Sequence, residues 1–140
     1  MADLFLDTSY AIALSSSHDL YHQMALILAE KIEAEKTRII TTHPVLLEIG
    51  NAMCKQRYRH AAVALIESLM ADPAIEIIAV SNQLFRLALD LYRERPDKDW
   101  SLTDCVSFVV MRDRAIVDAL TTDEHFHQAG FRSLMRETQL

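Results

Sequence analysis

Asp7, Glu48, Asp104 and Asp123 are the side chains of this 140-residue chain best suited to chemistry. Each adjoins an apolar stretch, where an ionised group is costly unless something compensates it. Asp7 closes Leu4-Phe5-Leu6, and Glu48 lies inside Val45-Leu46-Leu47-Glu48-Ile49. Asp104 opens the apolar run from Cys105 to Met111, and Asp123 follows the segment 116–122. No Lys or Arg is paired with them locally. Carboxylates that converge without cationic partners suit a hard divalent cation such as Mg²⁺ or Mn²⁺, which prefers oxygen ligands. Such ions lower the pKa of water, and a pair can stabilise attacking and leaving oxygens in phosphodiester cleavage. Without metal the clustered charges repel, so at least one carboxyl is expected to titrate high.

Each acid also has a structural role open to it. Asp7 can cap a helix starting near Thr8, and Asp123 a helix before Phe126. Ser101-Leu102-Thr103-Asp104 reads as a capping box with Asp in place of Glu. Glu48 borders an apolar face of Val45, Ile49, Ala52 and Met53 and can reach solvent along its flexible stem. Four such placements around one sheet edge favour a shared site.

The elements that must position these residues alternate between strand and helix. Strands are expected at 2–6, 37–41, 75–80 and 116–121, with an edge strand at 131–135. Helices are expected at 8–15, 20–35, 44–57 (Pro44 in its first turn), 60–70, 82–94 (capped by Ser81 or Asn82), 101–114 and 123–129. Asp72-Pro73 breaks the chain after the fourth helix. The polar stretch 93–99, with Pro96, is a surface loop. Gly130 stops the last helix. Alternation of this kind implies right-handed crossovers and a parallel sheet between helical layers, with ligands bound beyond the carboxyl ends of the strands. Asp7 and Asp123 fall at two such ends. No repeat or linker interrupts the pattern, so residues 1–140 are expected to form a single domain.

Composition narrows the chemistry. Hydrophobic residues make up 51% of the chain, as in a globular protein. Only Gly50 and Gly130 are glycines, which disfavours a P-loop, a GxGxxG turn or a GxSxG elbow. The two cysteines, Cys54 and Cys105, form no CxxC pair and read as free, mostly buried thiols of a cytosolic protein. The N-terminal MADLFLD lacks the pattern of a signal peptide, and no apolar run approaches a membrane span. The formal net charge of −6 argues against nucleic-acid binding until metal is counted, since two divalent cations offset four of those charges.

Four segments, taken in order and at this spacing, resemble the PIN domain family: Leu6-Asp7-Thr8-Ser9, Leu47-Glu48-Ile49-Gly50-Asn51-Ala52, Trp100 to Phe108, and Leu120-Thr121-Thr122-Asp123-Glu124-His125-Phe126. The resemblance covers nearly the whole chain. It implies a three-layer α/β/α sandwich with a central, mainly parallel sheet, and a Mg²⁺- or Mn²⁺-dependent endoribonuclease. It further implies that Asp7, Glu48, Asp104 and Asp123 are the metal ligands and catalytic acids, with Thr8 or Ser9 supporting the site near Asp7. Many small members are VapC-type toxins, which implies an RNA substrate, a neutralising antitoxin and a homodimer. The competing expectation is a PIN-like module that binds RNA or protein without cutting. A phosphohydrolase with Asp7 as nucleophile fits less well, because no second Asp lies two residues on.

Other polar residues receive quieter readings. His18 and His22, and His125 and His127, lack a third ligand at zinc-like spacing and read as surface or capping histidines. Arg112 and Arg114 complement a helix dipole. Lys55, Arg57 and Arg59 form one basic group; Arg93, Arg95 and Lys98 form another that can contact phosphate. Trp100 reads as an apolar staple beside Ser101, and Asp99 as a loop residue near the cleft. Leu20, Met24, Ile27 and Leu28 form a core or dimer stripe, and the helix at 101–114, apolar on both sides, is expected at the centre.

Overall fold

Two strands buried on both faces decide the layering. The computed structural model describes residues 2–137. Its strands are β1 (Leu4–Leu6), β2 (Ile39–Thr42), β3 (Ile75–Ile78), β4 (Asp118–Leu120) and β5 (Arg132–Ser133). Every residue of β1 and β2 is buried. Successive strand side chains point to opposite faces, so helices must cover both sides of the sheet. The helices are α1 (Thr8–Ser15), α2 (His22–Glu35), α3 (His43–Ala52), α4 (Gln56–Ala71), α5 (Asn82–Glu94), α6 (Leu102–Asp113), α7 (Glu124–Gln128) and α8 (Leu134–Glu137). The sheet order is β3-β2-β1-β4-β5, and every pairing is parallel. The three-layer α/β/α reading holds, and the sheet is wholly parallel among the described residues.

The chain winds outward from β1 in both directions, so the strand order reverses between β1 and β4. The crevice beyond their carboxyl ends is the natural ligand position in an open parallel sheet. Asp7 leaves β1 there, and Thr121 to Asp123 leave β4. Helix α6 brings a third segment to the same edge. Its face of Cys105, Phe108 and Met111 is fully buried, as expected for a central helix. Phe108 sits among Trp100, Phe126 and Phe131, with ring centroids 5.0, 5.0 and 5.7 Å away. Phe126 in turn meets Phe5 of β1 at 6.1 Å. This aromatic cluster ties α6 and α7 to the sheet.

Local signals set several boundaries. Thr42 caps α3 through the Val45 N–H, with Pro44 in the first turn. Ser81 caps α5 through Leu84 N–H. Asp72 closes its turn by accepting from Ala74 N–H. Gly130 adopts φ 97°, and the N–H groups of Gly130 and Phe131 bond back to His127 and Phe126 carbonyls, ending α7 as a Schellman motif. The same pair of bonds ends α2 and α6, but there Lys36 (φ 53°) and Ala115 (φ 54°) hold the left-handed position.

Some boundaries differ from the sequence reading. The expected helix 44–57 stops at Ala52, and α4 starts at Gln56 instead of 60. Arg59 Nη2 donates to the Cys54 carbonyl across the break, at 2.7 Å. Helix α2 starts at His22, leaving Leu20 90% exposed in a turn and Ile27 48% exposed. Only Leu28 of the expected stripe is fully buried. His18 also lies in that turn, so it forms no helical pair with His22, whose Nδ1 sits 2.7 Å from the Ala13 carbonyl. Cys105 is buried but Cys54 is exposed. Arg114 does more than face a helix end: with Arg38 it clamps Glu76, holding that carboxyl down at about 2. The expected strand 131–135 shrinks to Arg132–Ser133, paired with Asp118 and Ala119, because α8 begins at Leu134. Chain beyond Ser133 turns into α8, and Met135 N–H bonds the Thr121 carbonyl.

Candidate metal centre

All four sequence-selected acids line one open cleft of about 470 Å³ at the β1–β4 edge, with Thr8, Ser9, Asp99, Ser101, Thr122 and His125. None of the lining residues is a lysine or an arginine.

Asp7 is 6% exposed and occupies the N-cap position of α1, yet its side chain makes no bond to the second or third helical N–H. Its Oδ2 accepts instead from Thr121 Oγ1, at 2.8 Å. That fixes the direction of a longer chain. Thr121 has one hydroxyl proton and gives it to Asp7, so the 3.1 Å contact with Ser9 Oγ must run from Ser9 to Thr121. Ser9 Oγ accepts from Thr122 N–H at 3.0 Å, and Thr121 Oγ1 accepts from Asp123 N–H at 2.9 Å. Thr121, fully buried, therefore joins the two strand ends that carry Asp7 and Asp123. Burial pushes the Asp7 carboxyl up to about 7; the Thr121 and Thr8 hydrogen bonds oppose this, and the charges of Asp104 and Glu48 add to it. The expected high-titrating carboxyl is Asp7, but desolvation outweighs the mutual repulsion that the sequence suggested.

Glu48 projects from α3, half-buried, and its Oε1 accepts from Thr8 Oγ1 at 2.9 Å. Burial raises its carboxyl as well, with Asp104 and Asp123 contributing. Thr8 and Ser9 thus divide their work: Thr8 orients Glu48, while Ser9 reaches Asp7 only through Thr121.

For Asp104 and Asp123 the capping and site readings coexist. Asp104 forms the capping box with Ser101: Ser101 N–H donates to Oδ2 at 3.1 Å, and Ser101 Oγ accepts from Asp104 N–H at 3.0 Å. Asp123 caps α7, its Oδ1 accepting from His125 N–H at 2.8 Å. That cap carries the His125 ring into the cleft. Nδ1 lies 2.9 Å from Asp104 Oδ2 and 3.4 Å from Asp123 Oδ1. Ligand atoms of Asp104, Asp123 and His125 all lie within 4.8 Å of one another. His125, which lines the cleft, and Thr121, buried behind Asp7, are the supporting residues that sequence reasoning did not assign to the site. The usable signal was adjacency: Thr121 and His125 each stand two residues from Asp123 in Thr-Thr-Asp-Glu-His.

Asp99 lines the rim of the cleft and is exposed. Trp100 is 4% exposed, packs edge-on against Phe108, and donates Nε1–H to Gln128 Oε1 at 3.1 Å.

A cluster of carboxylates from four separate segments, gathered at the switch point of a parallel sheet, is a donor set that suits a hard divalent cation. Residues 4–132 match the PIN domain family, and the chain belongs to it. Its relatives include the "23S rRNA-specific endonuclease VapC20" of Mycobacterium tuberculosis, strains CDC 1551 / Oshkosh and ATCC 25618 / H37Rv. Each is 26% identical over 128 residues, covering 91% of this chain and 95% of the relative. The crystal structure of M. tuberculosis VapC20, described as a sarcin–ricin loop cleaving toxin, superposes with a TM-score of 0.81 at 27% identity, over 93% of this chain and 97% of that one. The chain is thus a homologue of VapC-type toxin endonucleases. Among the described residues, no helix is long and apolar enough to cross a membrane.

Proposed function

We propose that this chain is a divalent-cation-dependent endoribonuclease, the toxin of a toxin–antitoxin pair, and that it cuts structured ribosomal RNA. The observation that carries the reading is the convergence of Asp7, Glu48, Asp104 and Asp123 in one cleft lined by no Lys or Arg. The donor set fits Mg²⁺ or Mn²⁺: it is rich in carboxylate oxygen, and no Lys or Arg lines the cleft to pair with its acids. Asp7, Glu48, Asp104 and Asp123 would hold the cation. When bound, it supplies Lewis acidity toward the phosphodiester and a lowered pKa of water near neutral pH.

The chain's own part is positioning and proton release. Thr121 aims Asp7, Thr8 aims Glu48, and Ser101 N–H with His125 aims Asp104. Burial holds the Asp7 proton up to about pH 7, so Asp7 would have to release it in order to serve as a ligand near neutrality. His125, hydrogen-bonded to the acids, acts as an orienting group, the part that ligand-supporting residues commonly play in metal sites.

Kinship to VapC20 supports ribosomal RNA as the substrate class; a cognate antitoxin and a second copy of the chain are what the family resemblance implies. Purified protein is incubated with an RNA hairpin carrying the sarcin–ricin loop, in Mg²⁺, Mn²⁺ or EDTA, beside Asp104→Asn. Asn can still accept from Ser101 N–H, so the helix cap survives while the charge is lost. Cleavage that needs the cation and disappears in Asp104→Asn is the expected result. Activity persisting in a folded Asp104→Asn protein overturns the assignment, and RNA binding without cleavage in either metal points to the non-catalytic module. Light scattering measures the dimer.

A further inference from the structure

The acidic cleft lacks what a polyanion needs. Its lining offers no Lys or Arg, and RNA brings one negative charge per phosphate to a chain already at −6. The cations for backbone contact must lie beside it. A second cavity, of about 650 Å³, shares Asp99 with the cleft and is lined by Arg93, Arg95 and Lys98, with Tyr92 and Trp100.

This wall is built. Lys98 N–H closes a turn onto the Arg95 carbonyl at 3.1 Å, with Pro96 second in the turn. Arg95 pairs with both Asp97 oxygens at 3.0 Å, and its guanidinium lies 5.0 Å from the centroid of the buried Trp100 ring. Arg95 is thereby committed to holding the loop. The Arg93 side chain is 64% exposed and pairs with Asp90, three residues before it, whose side chain is 40% exposed. Such surface pairs contribute little, and a phosphate can replace the carboxylate. Lys98 is half-buried on the wall, and the Tyr92 ring is 49% exposed.

We propose that this cavity is an RNA-backbone subsite: phosphates flanking the cut bond seat on Arg93 and Lys98, a base stacks on Tyr92, and the strand crosses Asp99 to reach the four acids. The inference rests on the ribonuclease reading above and deepens it. Its test is binding of a fluorescein-labelled sarcin–ricin hairpin RNA across a NaCl series, by anisotropy, in an uncleaving Asp104→Asn parent. Arg93→Gln with Lys98→Gln should weaken binding about tenfold and flatten the slope of log K against log salt by more than about 1. Tyr92→Ala should weaken binding severalfold with the slope unchanged. Lys31→Gln with Lys36→Gln, two charges removed in and just after α2 and away from the cleft, is the Lys36 control for net charge. Strong parent binding that the Arg93/Lys98 double variant retains, with the slope of the Lys36 control, overturns the subsite and leaves the nuclease reading standing. Absence of RNA binding by the parent, with no cleavage by the unsubstituted chain in Mg²⁺ or Mn²⁺, overturns both.

Discussion

Replacing Asp7 by Asn should make the metal-free protein more stable at pH 8 and not at pH 5. The folded chain keeps the Asp7 proton up to about 7, whereas the unfolded chain releases it near 3.8. Between those values the folded state binds more protons, so stability falls as pH rises, and the penalty is complete above about pH 7. At pH 8 it amounts to about 4 kcal/mol, and at pH 5 to under about 2 kcal/mol. Asn removes the titration but leaves an amide N–H₂ where Thr121 Oγ1 or Thr8 N–H now donates. Thr121 is already fully bonded, so that mismatch costs about 1–3 kcal/mol at every pH. The net gain at pH 8 is about 1–3 kcal/mol, or roughly 3–10 °C in Tm for a domain of this size. Thermal melts of both proteins in EDTA, from pH 5 to pH 8, measure it. The difference between them should change by about 2–3 kcal/mol over that range. A gap that is the same at both ends would refute the argument that burial, uncompensated by any cation, governs Asp7. Mg²⁺ or Mn²⁺ at pH 8 should then raise the Tm of the unsubstituted chain and leave Asp7→Asn nearly unmoved.

Three other substitutions probe separate parts of the structure. Ala115→Gly relieves a left-handed φ of 54° and should stabilise by about 0.5–1 kcal/mol in urea titration, with RNA cleavage unchanged because Ala115 precedes β4 at the far edge of the sheet. Phe108→Ala empties the fully buried centre of the aromatic cluster and should cost about 3–5 kcal/mol by the same titration. His125→Ala should weaken Mn²⁺ binding about 10–100-fold in calorimetry, while His125→Asn, whose amide can replace the Nδ1 contact to Asp104, should recover much of the loss.

Alternation of apolar strands and capped helices made the layering legible from sequence, because parallel strands buried on both faces read as short continuous apolar runs. The acids were legible for a related reason: a carboxylate beside such a run demands compensation. What escaped were features decided by neighbours distant in sequence. Met53 to Arg57 contains no Pro or Gly, so nothing local separates α3 from α4; the break comes with the reversal that packs one helix on the other. Residues 131–135 were read as an edge strand, but only Arg132 and Ser133 pair with β4 before the chain turns into α8, a turn that no Pro or Gly marks.

The same distinction explains the site. Capping and a place in the site were weighed as alternatives for Asp104 and Asp123, yet each carboxylate caps its helix while lining the cleft. A cap fixes the carboxylate against its own helix and so pre-orients it, which is what a site needs of a side chain on a helix start. The Asp123 cap does more, because the residue whose N–H it accepts is His125, and the bond draws that imidazole to Asp104 in another segment. His125 was set aside because it has no zinc-like spacing in sequence. Its partners are carboxylates reached across the cleft, and Asp104 is brought there by α6 packing on the aromatic cluster. The hydroxyl chain from Ser9 through Thr121 to Asp7 follows the same logic at the other wall: residues 112 apart in sequence are joined only because β1 and β4 are adjacent. Burial of Asp7 and its hydroxyl support are therefore one construction. It holds the carboxyl's proton up to about pH 7 and fixes its direction in the free protein, and it supplies the geometry that a cation would find on displacing the proton.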